Sequence, residues 1–189
     1  ELLEIHQELV KRNGLEEGMV YLQLTRGNPG DRDFAYPPEG TTPTLVLFTQ
    51  NANLLSNPKI DQGMKIISVE DQRWARRDIK TVQLLFPSMA KMMAKAAGVD
   101  DAWMVEDGHV TEGSSNNAYI VKDGKIITRN LGNEILHGIT RAAVLEYARS
   151  AQMNASSASF ASSMVKGRSS TSIWAIDISK IKNKINSYP

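Results

Sequence analysis

Two Asp-Gly dipeptides, Asp107 with Gly108 and Asp123 with Gly124, each interrupt an apolar run, and no other feature of the sequence limits the fold as strongly. In "DAWMVEDGHVTEG" and "NNAYIVKDGKIITRN" the flanking residues are strand formers. Asp-Gly suits the two-residue hairpin turn, whose central residues both take positive φ. Hairpins set among helical stretches predict α+β layering and argue against a doubly wound parallel sheet. "ELLEIHQELVKRNG", "LLFPSMAKMMAKAAG" and "GITRAAVLEYARSA" carry apolar residues at helical spacing, the first ending at Gly14. "GMVYLQLTRG" alternates Val20, Leu22 and Leu24 against Tyr21, Gln23 and Thr25, which predicts a half-buried strand. "TLVLFT" and "MKIISVED" read as further strands, "NPGDRDFAYPPEGTTPT" as a long loop, and "QNANLLSNPKIDQG" as a linker between packing units.

Charge excludes whole classes of partner. With 22 Lys and Arg against 21 Asp and Glu, and no long block of one sign, the chain offers no field for nucleic acid or an anionic membrane; a small charged metabolite fits better. The absence of cysteine removes disulfides, thiolate nucleophiles and zinc–thiolate sites, and no metal site is expected. No apolar run approaches membrane length and no secretory pattern opens the sequence, so no membrane partner is expected and cytoplasm is the default location. Glu1 falls inside a predicted helix and reads as a cut end. At the other terminus "ASSASFASSMVKGRSSTS" is low in complexity with little to bury, and "IWAIDISKIKNKINSYP" has apolar spacing without a clear partner.

Within "RRDIKTVQLLFPSMAK", Lys80 stands out. An arbitrary lysine is a solvated surface group, but Ile79, Val82, Leu84 and Leu85 surround this one with apolar neighbours, and Arg76 and Arg77 lie close in sequence. Desolvation and like charge both favour the neutral amine, which is a nucleophile toward carbonyls. Downstream, "VTEGSSNN" places Glu112 at a strand end, and "LHGITR" places Ile139 and Thr140 at a helix start whose free N–H groups suit a phosphate. Each has an ordinary explanation: a strand-end carboxylate, and a helix entry capped by Thr140. Their order along one chain is what adds weight.

The segments "RRDIKTVQLL", "VTEGSSNNAYIVKDGKI" and "LHGITR" resemble the active-site segments of the class IV aminotransferases, pyridoxal-phosphate enzymes of fold type IV, with D-amino-acid aminotransferases the nearest branch. The resemblance runs from about residue 18 to about residue 148. It implies a two-domain α+β fold, with 1–50 the remainder of a small α/β domain, 51–60 the interdomain linker, 61–150 the core of the large cofactor-binding domain and 151–189 an atypical tail. It implies transamination between an amino acid, D-amino acids favoured, and a 2-oxo acid, by a homodimer. Branched-chain aminotransferase, (R)-amine transaminase and aminodeoxychorismate lyase activities share the fold, and a non-catalytic remnant is the competing expectation from another class.

Residue by residue, the resemblance assigns Lys80 as the catalytic lysine bonded to the cofactor and as the base at the substrate α-carbon. Glu112 would face the pyridine nitrogen, Leu136 would pack on the ring, and Ile139 and Thr140 would bind the phosphate. Arg32, in "TRGNPGDRDFAYP", falls at the substrate-carboxylate arginine of the D-amino-acid branch, while Phe34 replaces that branch's histidine and favours a less polar ligand group. Tyr21 is a weaker candidate for the same pocket. The family's segment before Glu1, with its phosphate-binding arginine, and its closing strand are both expected to be missing, making the chain incomplete at both ends and a weak binder of cofactor. "GRSSTS" would be the substitute source of hydroxyl groups, and Arg141 is expected to point away from the phosphate.

Overall fold

The computed structural model describes residues 1–164, which form two compact units, Glu1–Asn57 and a second beginning at Pro58. "GRSSTS" and "IWAIDISKIKNKINSYP" lie outside the described residues. The first unit opens with α1 (Leu2–Arg12), where Glu4 in the first turn and Lys11 and Arg12 in the last complement the helix dipole. Asn13 ends the helix and donates through Nδ2 to Thr49 Oγ1 at 2.8 Å. That bond ties α1 to β2 (Thr44–Asn51), which pairs antiparallel with β1 (Gly18–Thr25) along its whole length. The connecting loop closes at Gly27, where a φ of +93 and the nearby Thr42 carbonyl leave no room for a side chain.

Strand alternation in β1 departs from expectation. Leu22 and Leu24 are 39% and 64% exposed, whereas Gln23 and Thr25 are half-buried. Two strands and one helix have too little surface to cover a sheet face, so within this unit alternation does not sort inside from outside.

The second unit holds two three-stranded sheets, each combining one hairpin with one parallel crossover. In the first, β3 (Ile66–Glu70) runs parallel to β4 (Asp101–Glu106) across α3 (Leu85–Ala96), and β4 turns back antiparallel into β5 (His109–Gly113). In the second, β6 (Tyr119–Lys122) pairs antiparallel with β7 (Lys125–Thr128), and β7 pairs parallel with β8 (Asn154–Ser157) across α4 (Ile139–Ser150). A short helix, α2 (Lys59–Gln62), precedes β3. Both Asp-Gly turns have positive φ at both residues, 49 and 73 at Asp107 and Gly108, 51 and 71 at Asp123 and Gly124, as the hairpin reading requires. α3 lies on its sheet through Ala90 and Ala94, fully buried against Ala102, with Ile67, Val69 and Val99 packed around them. Alanines four residues apart remove bulk from one helix face and let it approach the strands closely.

The main core joins Trp103, Val110, Ala118, Ile120 and Phe160, with Ile66, Val105 and Ile127 against it. Phe160 corrects the reading of the tail. Residues 154–157 form β8, Ala158 N–H donates to Thr128 O at 2.8 Å, and Phe160 is 1% exposed with its ring edge-on to Trp103 at 6.0 Å. Val110 N–H donates to Phe160 O and Ser162 N–H to Gly108 O, fastening the segment to the first hairpin. Small residues fit a strand beside β7, and one aromatic anchors the run; average composition hides both. Among the described residues no helix is long and apolar enough to cross a membrane, and no group of three His, Cys, Asp or Glu side chains is arranged to hold a metal ion.

Removing the Phe160 ring leaves a cavity between the hairpin and Trp103. Phe160→Ala should therefore destabilise the chain by about 3–5 kcal/mol, read from the denaturant midpoint, with little change in slope.

Candidate active site

The site is built on the exits of β3 and β5. Asp71 follows β3, its N–H donating to Val105 O at 2.8 Å, and its side chain is wholly buried. Arg73 grips it in a fork, Nε to Oδ1 at 2.9 Å and Nη2 to Oδ2 at 2.7 Å, and the Thr111 hydroxyl donates to Oδ2 at 2.7 Å. The remaining terminal nitrogen of the same guanidinium, Nη1, donates to Glu112 Oε1 at 2.5 Å. Glu112 Oε2 accepts from Asn117 Nδ2 at 3.0 Å and from the Leu136 N–H at 3.1 Å. Burial works against charge on Asp71, but the bonds from Arg73 and Thr111 hold its carboxyl below the ordinary range. Burial pushes the Glu112 carboxyl up, and Arg73 offsets only part of that.

Asn117 fixes the approach to α4. Its Nδ2 also donates to Leu136 O at 3.0 Å, and its Oδ1 sits where a Cβ on Gly138 would be. Gly138 has φ −63, so this glycine is required by space and not by backbone conformation. It is also the N-cap residue, in place of the expected Thr140, and no side chain caps the helix. Ile139 is 88% exposed and Thr140 is exposed, and the first-turn N–H groups have no acceptor within the helix. Arg141 is buried, donating through Nη2 to Arg129 O at 2.7 Å and Ser157 Oγ at 3.0 Å; it pins α4 to the ends of β7 and β8.

Lys80 lies in the irregular segment between β3 and α3, and there the structure corrects the expected microenvironment. Lys80 is exposed, as are Ile79, Val82, Leu84 and Leu85, so the apolar neighbours do not desolvate the amine. Nor does the arginine pair act as free positive charge. Arg76 is held by Asp78 at 2.8 Å and Arg77 by Glu106 at 2.8 and 2.9 Å. The segment is nonetheless anchored to the loop that leads to α4, because Arg77 N–H donates to Asn133 O at 2.9 Å. In the first unit, Arg32 stacks its guanidinium over Phe34 at 4.5 Å, and Tyr21 stacks on Phe48 at 4.9 Å while donating to Gln23 Oε1.

Residues 1–162 match the family described as amino-transferase class IV. The chain belongs to the class IV aminotransferases. It is 38% identical over 148 residues to a D-alanine aminotransferase of Staphylococcus aureus (strain MSSA476), covering 78% of this chain and 52% of that protein. The chain spans about half the length of the curated relatives it matches. Among solved structures, the Escherichia coli branched-chain amino acid aminotransferase has a TM-score of 0.68 at 19% identity, over 85% of this chain and 54% of that one, a likeness of fold alone. The T.th. branched-chain amino acid aminotransferase with pyridoxamine 5'-phosphate has a TM-score of 0.65 at 25% identity, over 84% of this chain and 53% of that one. The fold is therefore that of the type IV aminotransferases.

Enzymes of this family depend on pyridoxal phosphate, and the residues in place suit that group. Three donors occupy three of the four or so acceptor positions of the Glu112 carboxylate, leaving one on Oε1 for a ring N–H. The uncapped start of α4 presents N–H groups for a phosphate. Sequence reasoning named Glu112 but missed Asp71, Arg73 and Asn117. Asp71 ends the stretch that reads as a strand, "MKIISVED", and Asn117 lies in another, "NNAYIVKDGKIITRN", so the local pattern marks neither as a site residue.

Gly138→Ala should force Asn117 off its bridge and cost about 1–3 kcal/mol. Adding Asn117→Ala should cost little more, because both substitutions break the same contact, and a double-mutant cycle on unfolding free energy measures that coupling.

Proposed function

We propose that this chain carries the transamination chemistry of a pyridoxal-phosphate enzyme acting on an amino acid, D-amino acids favoured, and a 2-oxo acid, as a cytoplasmic homodimer. The observation that carries the reading is the buried Glu112 carboxylate, fixed by Arg73, Asn117 and the Leu136 N–H beside the uncapped start of α4. When bound, pyridoxal phosphate supplies an electron sink for the charge left at a substrate α-carbon. Lys80 holds the cofactor through its amine and moves the proton at the substrate α-carbon. Glu112 keeps a proton on the ring nitrogen. The first-turn N–H groups at Ile139 and Thr140 hold phosphate by hydrogen bonds and by the positive end of the helix dipole. Leu136, half-buried with its backbone tied to Glu112 and Asn117, packs on the ring. Arg32 binds the substrate carboxylate, with Tyr21 beside it in the substrate pocket.

The D-amino-acid preference rests on the likeness to D-alanine aminotransferases. A second reading, an (R)-amine transaminase, is favoured by Phe34, whose apolar ring under Arg32 suits a substrate group without a carboxylate.

Lys80→Ala should abolish the visible absorbance of added cofactor while leaving the circular dichroism unchanged; a borohydride-reducible adduct persisting at another lysine refutes the role. Glu112→Gln should retain cofactor yet slow the half-reaction with D-alanine roughly a hundred- to a thousand-fold in a stopped-flow measurement. An unchanged rate would make Glu112 a structural carboxylate.

A further inference from the structure

Glu112 does not meet Arg73 alone. The guanidinium is shared, with Nε and Nη2 committed to Asp71 and Nη1 to Glu112, and the three side chains are 14% exposed at Arg73, 0% at Asp71 and 6% at Glu112. Asp71 is held in turn by the Thr111 hydroxyl and by the Arg73 N–H at 3.1 Å. Behind it lies Arg77 Nε at 3.6 Å, on an arginine already paired with Glu106. Among the described residues, the charged groups that act most on Glu112 are Arg73, in direct contact, and Asp71 beyond it.

We propose that Arg73 is a positioning residue for the ring-nitrogen carboxylate, holding Glu112 ionised and correctly turned, and that Asp71 sets how much of the Arg73 charge Glu112 receives. The inference rests on the function proposed above. A buried carboxylate without a cation takes up a proton, and a neutral acid cannot keep a second proton on a ring nitrogen. Arginine suits the position because its charge does not titrate in the working range, and because the fork on Asp71 fixes the guanidinium plane, so its remaining terminal nitrogen has one direction in which to point. Lysine would keep the charge and lose the plane. Asp71 opposes the effect on Glu112: it draws on the same cation and repels the second carboxylate.

The test is a pH titration of the full 189-residue chain without cofactor, labelled with carbon-13 at glutamate carboxyls. The Glu112 signal is assigned by its loss in Glu112→Gln. Arg73→Gln should raise the Glu112 midpoint by about one to three pH units. Asp71→Asn should lower it, and Arg73→Lys should leave it near the parent value. If the charges of Arg73 and Asp71 did not reach Glu112, neither substitution would move its midpoint. An unmoved midpoint in Arg73→Gln, or shifts of the same sign in Arg73→Gln and Asp71→Asn, overturns the proposal. If Arg73→Gln fails to fold, Asp71→Asn decides: a midpoint that does not fall overturns it. Failure of cofactor to attach at Lys80 would remove the functional reading and leave these titrations standing, whereas unshifted titrations in a chain that binds cofactor would remove the coupling alone.

Discussion

One largely buried guanidinium, that of Arg73, organises the larger unit. Arg73 bridges a carboxylate at the exit of β3 and another near the end of β5, so the two strands that flank β4 are fastened to each other. Buried ion pairs of this kind are poor sources of net stability, because desolvation consumes most of the attraction, but they are demanding about geometry. Losing either carboxylate would leave a buried cation short of a partner, and losing the cation would leave two buried carboxylates. The arrangement therefore permits few alternatives in how these three side chains are placed.

From Glu112 the constraint passes outward through neutral hydrogen bonds. Asn117 joins the carboxylate to the backbone at Leu136, and the missing side chain at Gly138 lets that amide lie against the start of α4. Arg141 then ties the first helical turn to β7 and β8. The loop leading to α4 also accepts the Arg77 N–H from the segment that bears Lys80. Stretches far apart in the chain are thus joined by backbone and amide contacts, while Lys80 and the first residues of α4 stay exposed.

Much of this is legible in the sequence. Both hairpins follow from Asp-Gly, since the turn needs positive φ at two adjacent residues and few dipeptides tolerate it. The helices follow from apolar spacing, and the motif residues from their order. Other features are not legible. Phe160 is lost in a Ser/Ala-rich stretch because composition averages over the one residue that anchors it. The apolar neighbours of Lys80 suggest shielding, yet they lie outward, because closeness in sequence does not imply packing. Arg76 and Arg77 suggest nearby charge, but carboxylates pair with both, and Glu106, the partner of Arg77, comes from the end of β4.

The sequence by itself determined what is local: where the chain turns, which stretches coil, and which residue types for amine, carboxylate and phosphate-binding chemistry are present and in what order. Tertiary structure alone decided which charges meet. Arg73 and Glu112 stand 39 positions apart in the chain yet share a hydrogen bond, and through that one guanidinium Glu112 is joined to Asp71. No periodicity encodes such a contact. It exists because a parallel crossover through α3 and a hairpin at Asp107 and Gly108 set β3 and β5 on either side of β4, where the Arg73 side chain reaches from Asp71, just after β3, to Glu112 in β5, and because a buried carboxylate keeps its charge only where the fold supplies a cation.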